Sequence, residues 1–143
     1  VDEGTKLLQE TADMVTEQPQ EKSNTNARLL KDEEIARRLE QWITSGGYRQ
    51  TGITVSLVAS VTNTNRTYLS IYINDRFGCN FREWIVSLRI REAKSLLAER
   101  SDLTIEQIAG MTGFSSDSYF SKQFTLAEGI SPSKWRKSQA WIK

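Results

Sequence analysis

One segment of this chain occurs twice. Thr54-Val55-Ser56-Leu57-Val58-Ala59 matches Thr104-Ile105-Glu106-Gln107-Ile108-Ala109, position for position. After a one-residue length difference the match resumes: Tyr68-Leu69-Ser70 faces Tyr119-Phe120-Ser121, and Ile73 faces Phe124. Gly78 then faces Gly129, and Trp84 faces Trp135. Matches in this order with a single shift mark a duplicated structural unit. The fold must therefore hold two similar small bodies in series.

Each copy reads as helix, tight turn, helix. In the second, Thr104 with Gln107 three residues on makes a capping box. Ile105, Ile108 and Ala109 form its buried face, and Gly113 supplies the left-handed residue of a sharp turn. Ser115 is expected to cap the next helix, with Tyr119, Phe120 and Phe124 inward. In the first copy Thr54 caps, Val55, Val58 and Ala59 are buried, and Asn63 replaces the glycine. Thr64 is expected to cap the following helix, with Tyr68, Leu69, Tyr72 and Ile73 inward. Two helices meeting near a right angle need a small side chain at the crossing and a residue tolerant of positive φ at the turn. Ala59 with Asn63, and Ala109 with Gly113, meet both needs, as in a helix-turn-helix. Two copies with matched caps favour that motif over a plain helical hairpin.

Between the copies, Asn80 and Glu83 predict a capping box and a helix over residues 80–100. About 21 residues at 1.5 Å each would span roughly 31 Å. Its apolar residues fall in two sets: Phe81, Trp84, Ile85 and Leu88, then Ile90, Ala93, Leu96 and Leu97. The second set is rotated from the first by roughly 140°. A helix serving one core keeps one stripe; this one changes sides midway, as a helix built into two cores must. Upstream, Asp32 is expected to cap a helix with Ile35, Leu39, Trp42 and Ile43 on one face, ended by Gly46-Gly47. Residues 17–27 read as a polar linker, and residues 6–15 as a short helix before it.

Composition narrows the chemistry. There is no histidine, which excludes histidine-based triads, HExxH zinc sites and histidine general bases. The single cysteine, Cys79, excludes an intramolecular disulfide and a CxxC metal knuckle, and is expected to be inert. No glycine-rich phosphate loop or clustered acids suggest another catalyst, so no enzyme activity, cofactor or metal is expected. The longest stretch without charge, residues 50–65, is short and interspersed with Thr, Ser and Asn, and no membrane span or signal peptide is expected. Residues 1–30 hold three basic and six acidic residues; residues 31–143 hold sixteen basic and twelve acidic. An acidic leader thus precedes a mildly basic body, which suits nucleic acid without demanding it. The first residue is Val1, so the chain is expected to be a piece of a longer, cytoplasmic protein.

These residues resemble the DNA-binding domain of the AraC/XylS family of bacterial transcription regulators. The resemblance covers about residues 32–138. Its most specific part is Arg89-Ile90, Ala93 and Leu96-Leu97, then Ile108-Ala109, Gly113-Phe114, Tyr119-Phe120-Ser121, Phe124, Gly129 and Ser131-Pro132. It implies an all-α fold of about seven helices: two helix-turn-helix subdomains joined by a long linker helix. It implies control of transcription by binding double-stranded promoter DNA, commonly as an activator touching RNA polymerase. Dimerisation would fall to a region upstream of Val1.

The family's base-reading positions, carried over by motif, fall on Thr67, Ser70 and Ile71 in the first copy. In the second they fall on Asp117, Ser118, Ser121 and Lys122. The residues left outward once the apolar ones turn inward are nearly the same set, with Arg66 and Asn74 added as backbone contacts. Ile71 departs from the polar or basic residue common at its position; it either meets a thymine methyl group or has no role. Lys122 either hydrogen-bonds guanine or holds a phosphate. Asp117 either accepts from a cytosine amino group or orients a basic side chain. Ser115 and Ser116 sit at a helix N-terminus, where backbone N–H groups suit a phosphate. Arg89 is either an ion-pair partner within the fold or a DNA contact. Lys134, Arg136, Lys137 and Lys143 either lie on phosphates or form a solvated face.

The expected layout is a leader over residues 1–30 and a DNA-binding domain over residues 31–143. The first helix-turn-helix occupies about residues 54–77, the linker helix 80–100 and the second motif 104–128. A helical protein-interaction module without DNA contact is the alternative.

Overall fold

The computed structural model describes residues 18–142. These contain seven α-helices and no strand: α1 (Gln18–Thr44), α2 (Val55–Val61), α3 (Arg66–Phe77), α4 (Phe81–Glu99), α5 (Ile105–Met111), α6 (Asp117–Glu128) and α7 (Pro132–Ile142). One turn of 3-10 helix, Gly47–Arg49, lies between α1 and α2. The chain divides into two compact units, Val1–Arg37 and Arg38–Lys143.

Two expectations near the start need correction. Residues 18–27 are helical rather than a polar linker, and Asp32 lies inside α1 instead of capping it. Polarity was the wrong guide: Glu, Lys, Gln, Ala and Arg are good helix formers even without an apolar face. Glu34, expected in a first turn, instead pairs with Arg37 one turn on, at 2.6 Å. The helix expected over residues 6–15 lies outside the described residues.

The end of α1 is as expected. Ile35, Leu39 and Trp42 are buried, and Gly46 adopts a left-handed φ of 81° just beyond the last turn.

The duplication is visible in three dimensions. Thr54 accepts a hydrogen bond from Leu57 N at 3.1 Å, and Thr104 from Gln107 N at 3.0 Å. Val58 and Ala59 are buried in one copy, Ile108 and Ala109 in the other. Both short helices end the same way. Asn63 (φ 62°) and Gly113 (φ 104°) take positive φ. Asn63 N donates to Ser60 O and Thr64 N to Ala59 O; Gly113 N donates to Gly110 O and Phe114 N to Ala109 O. This is a Schellman closure in each copy, satisfying carbonyls the helix end would otherwise orphan.

α4 runs Phe81–Glu99, with the expected reciprocal cap between Asn80 and Glu83. Its 19 residues span about 28 Å at 1.5 Å per residue. It does serve two cores. Trp84 stacks on Trp42 and on Phe77, with ring centroids 6.1 and 5.7 Å apart, and Ile85 and Leu88 are buried beside it in sequence. Ile90, Ala93 and Leu97 instead join Ile108, Ala109, Phe114, Phe120 and Phe124 in the C-terminal core. Trp135, the counterpart of Trp84, meets Phe124 edge-on at 5.9 Å. Burying each such large apolar side chain contributes about 1.5–3 kcal/mol.

Candidate nucleic-acid interface

The second helix of each copy is oriented by its buried residues. On α3, Leu69, Tyr72 and Ile73 are buried, at i, i+3 and i+4. That leaves Arg66, Thr67, Ser70, Ile71 and Asn74 exposed on the other side. Ile71 is 52% exposed. On α6, Phe120 and Phe124 are buried and Tyr119 is half-buried. Asp117, Ser118 and Lys122 are exposed, and Ser121 is half-buried. All eleven candidates therefore have solvent-facing surface, five on α3 and the others on or just before α6.

The caps of these helices differ from expectation. Asn65, not Thr64, caps α3, accepting from Tyr68 N at 2.8 Å. Ser116, not Ser115, caps α6, accepting from Tyr119 N at 3.1 Å. The reason lies in the turn: Thr64 N and Phe114 N already close the preceding helix, so the next cap falls further along. In the first copy one step remains, from Thr64 to Asn65. In the second two remain, from Phe114 through Ser115 to Ser116. Ser115 is thus the extra residue that shifts the repeat. It is exposed and lines a cleft of about 430 Å³ with Gly52, Ile53, Phe81, Arg82 and Tyr119. Asp117, in the first turn of α6, sits where the helix dipole favours a carboxylate.

Two arginines turn out to hold backbone. Arg89 is only 8% exposed. Its Nε donates to Tyr48 O at 2.7 Å and its Nη2 to Gln50 O at 2.8 Å. Burial pushes its pKa below the ordinary arginine value. It is structural, through carbonyls rather than an acid. Arg136, expected on a basic face, donates to Leu97 O, Leu103 O and Arg100 O at 3.1, 2.8 and 2.9 Å. It thereby caps the C-terminal end of α4. Lys134 and Lys137 are exposed, whereas Lys143 lies outside the described residues.

Sequence reading missed one pair. Thr62 and Thr112 are fully buried and occupy equivalent repeat positions. Their hydroxyls donate to Val58 O at 2.9 Å and Ile108 O at 2.8 Å, at the end of each short helix. The signal was available: a threonine three residues after each crossing alanine.

Comparison with known proteins gives one consistent answer. A family model described as a helix-turn-helix domain matches residues 58–138. The probable transcription factor PqrA of Proteus vulgaris is 28% identical over 106 residues, 74% of this chain and 86% of that protein. The lactose operon transcription activator of Staphylococcus xylosus is 34% identical over 87 residues, 61% of this chain but only 31% of that protein. Among solved structures, the C-terminal domain of AraT, a response regulator from Geobacillus stearothermophilus, is 33% identical with a TM-score of 0.65. That match covers 73% of this chain and 84% of the AraT domain.

Proposed function

The chain belongs to the AraC/XylS family of helix-turn-helix transcription regulators, and from that premise we propose how it engages DNA. α3 and α6 enter adjacent major grooves of one duplex. Thr67, Ser70 and Ile71 read bases from the first, and Asp117, Ser118, Ser121 and Lys122 from the second. Arg66 and Asn74 contact the backbone beside α3, and Ser115 with Ser116 present N–H groups to a phosphate beside α6.

The observation that carries this reading is the duplicated orientation device. The same cap, crossing alanine, Schellman closure and buried aromatic or aliphatic set occur in both copies. Each leaves a mostly polar stripe outward on its second helix, with Ile71 in the first and Asp117 and Lys122 in the second. α4, at about 28 Å, is commensurate with the 34–36 Å between successive major grooves on one face of DNA. The two stripes differ, with Arg66, Thr67 and Ile71 against Asp117, Ser118 and Lys122, so the two DNA elements differ too. No described helix is long and apolar enough to cross a membrane. In the whole protein, activation through contact with RNA polymerase, and pairing through a region upstream of Val1, complete the reading.

The test is a mobility-shift series on a duplex enriched by this chain from a random pool. A non-palindromic site with two unlike elements about 10 base pairs apart is expected. Inserting five base pairs puts the second element on the opposite face, and affinity falls to that of one element. A palindrome needing two chains, or tolerance of the insertion, refutes the two-groove reading. No shift even with random duplex at low salt would favour a protein-interaction module.

A further inference from the structure

A helix joining two subdomains sets their separation but leaves each able to pivot about its end. Here a third element intervenes. The turn Gly47–Arg49 and the following Gln50 lie against the middle of α4. Arg89 grips the carbonyls of Tyr48 and Gln50 from below. One turn along the same helix, Glu92 accepts three bonds from Arg49: Nε to Oε1 at 2.9 Å and to Oε2 at 3.0 Å, and Nη2 to Oε2. The segment also abuts the second helix-turn-helix. A Cβ at Gly113 would stand 2.8 Å from both Tyr48 O and Arg49 O, so the turn between α5 and α6 touches this backbone directly. Arg89 also lies over the ring of Phe114, the next residue in that turn, at 5.8 Å.

The geometry points to Tyr48–Gln50 as a clamp that locks the second helix-turn-helix against the first, with Arg49 and Glu92 as the positioning residues that set the spacing of the two DNA elements. This rests on the two-groove reading. The segment belongs to the entry of the first motif, yet it fills the angle between α4 and the turn of the second. With it seated, a rotation of the second motif about α4 must drive Gly113 into the Tyr48 and Arg49 carbonyls or pull it off them. The clamp also explains why a buried guanidinium is spent on two carbonyls: those bonds hold the segment where Gly113 meets it. Arg49 and Glu92 form the outer jaw. Their side chains are 48% and 18% exposed, and neither belongs to the buried residues of a core.

The experiment compares the full chain with Glu92→Arg, Arg49→Glu and the double exchange, on the pool-enriched duplex and on versions with one extra base pair between the elements. One added pair rotates the second element by about 36°, and the unaltered chain is expected to lose about tenfold in affinity on it. Each single exchange should retain binding to the original duplex while the penalty shrinks to about threefold or less. The double exchange should restore the full penalty, whereas a merely stabilising pair would leave the penalty unchanged in the single variants. Helical circular dichroism monitors folding, and Arg49→Gln gives the same comparison should a charge reversal unfold the chain. An unchanged penalty in the single variants, or no restoration in the double, overturns the clamp while leaving the two-groove reading intact. A pool from which the unaltered chain enriches no duplex removes both.

Discussion

Gly113→Ala isolates the demand that the second turn places on one residue. Two costs apply. At φ 104° the backbone is in a region that side chains other than glycine's rarely adopt, a strain of about 1–3 kcal/mol. In addition the new Cβ would stand 2.8 Å from two backbone oxygens. Backbone pinned by Arg89 cannot yield as a flexible side chain would, and overpacking of this kind costs about 1–3 kcal/mol. The sum, about 2–6 kcal/mol, is a large part of a typical domain's stability of 5–15 kcal/mol. Gly78→Ala is the matched control. Its φ is 72° but nothing lies within 4 Å of the added Cβ, so it carries the strain alone. Urea unfolding followed by helical circular dichroism should give Gly113→Ala a loss exceeding that of Gly78→Ala by about 1–3 kcal/mol, with an unchanged denaturant slope. Equal losses in the two variants would refute the close approach of the turn to Tyr48 and Arg49.

Other outcomes follow from single residues. Lys122→Ala should weaken specific binding by about 1–3 kcal/mol and relax selectivity at one or two base pairs if it reads a base; a uniform loss across sequences assigns it to a phosphate. Thr112→Val removes a hydroxyl bonded to Ile108 O, but that carbonyl still accepts from Thr112 N at 3.0 Å. Its cost in urea unfolding should be only about 0.5–1.5 kcal/mol, and a loss above about 3 kcal/mol would mean the hydroxyl does more than cap. At Cys79, burial and then the neighbouring Glu83 carboxylate hold the thiol above its ordinary pKa. Less thiolate is therefore present at any given pH, and iodoacetamide should alkylate Cys79 more slowly than free cysteine near pH 8. Faster reaction would contradict that environment.

The helices of both motifs were legible because they rest on local rules. A capping threonine, a small crossing residue and an apolar set at helical spacing each leave a mark within ten residues of chain, and the duplication prints each mark twice. The side change along α4 was legible for the same reason. The caps of α3 and α6 were misplaced because Thr64 and Ser115 are good caps in isolation. At Thr64 the residue's own N–H makes the Schellman bond, a backbone event that no side chain announces; in the second copy that bond falls on Phe114, and the extra residue Ser115 precedes the cap at Ser116. α1 was under-read at its start because a helix without an apolar stripe offers periodicity nothing to detect. The exposed candidates on α3 and α6 were carried over from the family's motif, and subtraction from the buried residues gave nearly the same set, so their exposure followed once the inward residues were right.

Arg89 and Arg136 were harder to place for a different physical reason. Read as charges, they invite an acid or a phosphate as partner, and sequence can nominate either. In the structure both spend their planar set of donors on carbonyl oxygens, five in all. A carbonyl partner has no residue identity, since every residue carries one. The partners of Arg89 stand about 40 residues back along the chain, and only the tertiary arrangement brings them near. The choice is physically apt. Guanidinium spreads its charge and offers several N–H groups in fixed directions, so one side chain can tie together carbonyls from separate segments. A lysine at either place, with one compact ammonium, would lose that geometry while keeping the charge. Arg89→Lys and Arg136→Lys should therefore destabilise the fold although net charge is unchanged. Melting temperatures equal to that of the unaltered chain would show that charge, not the fork of donors, holds these segments.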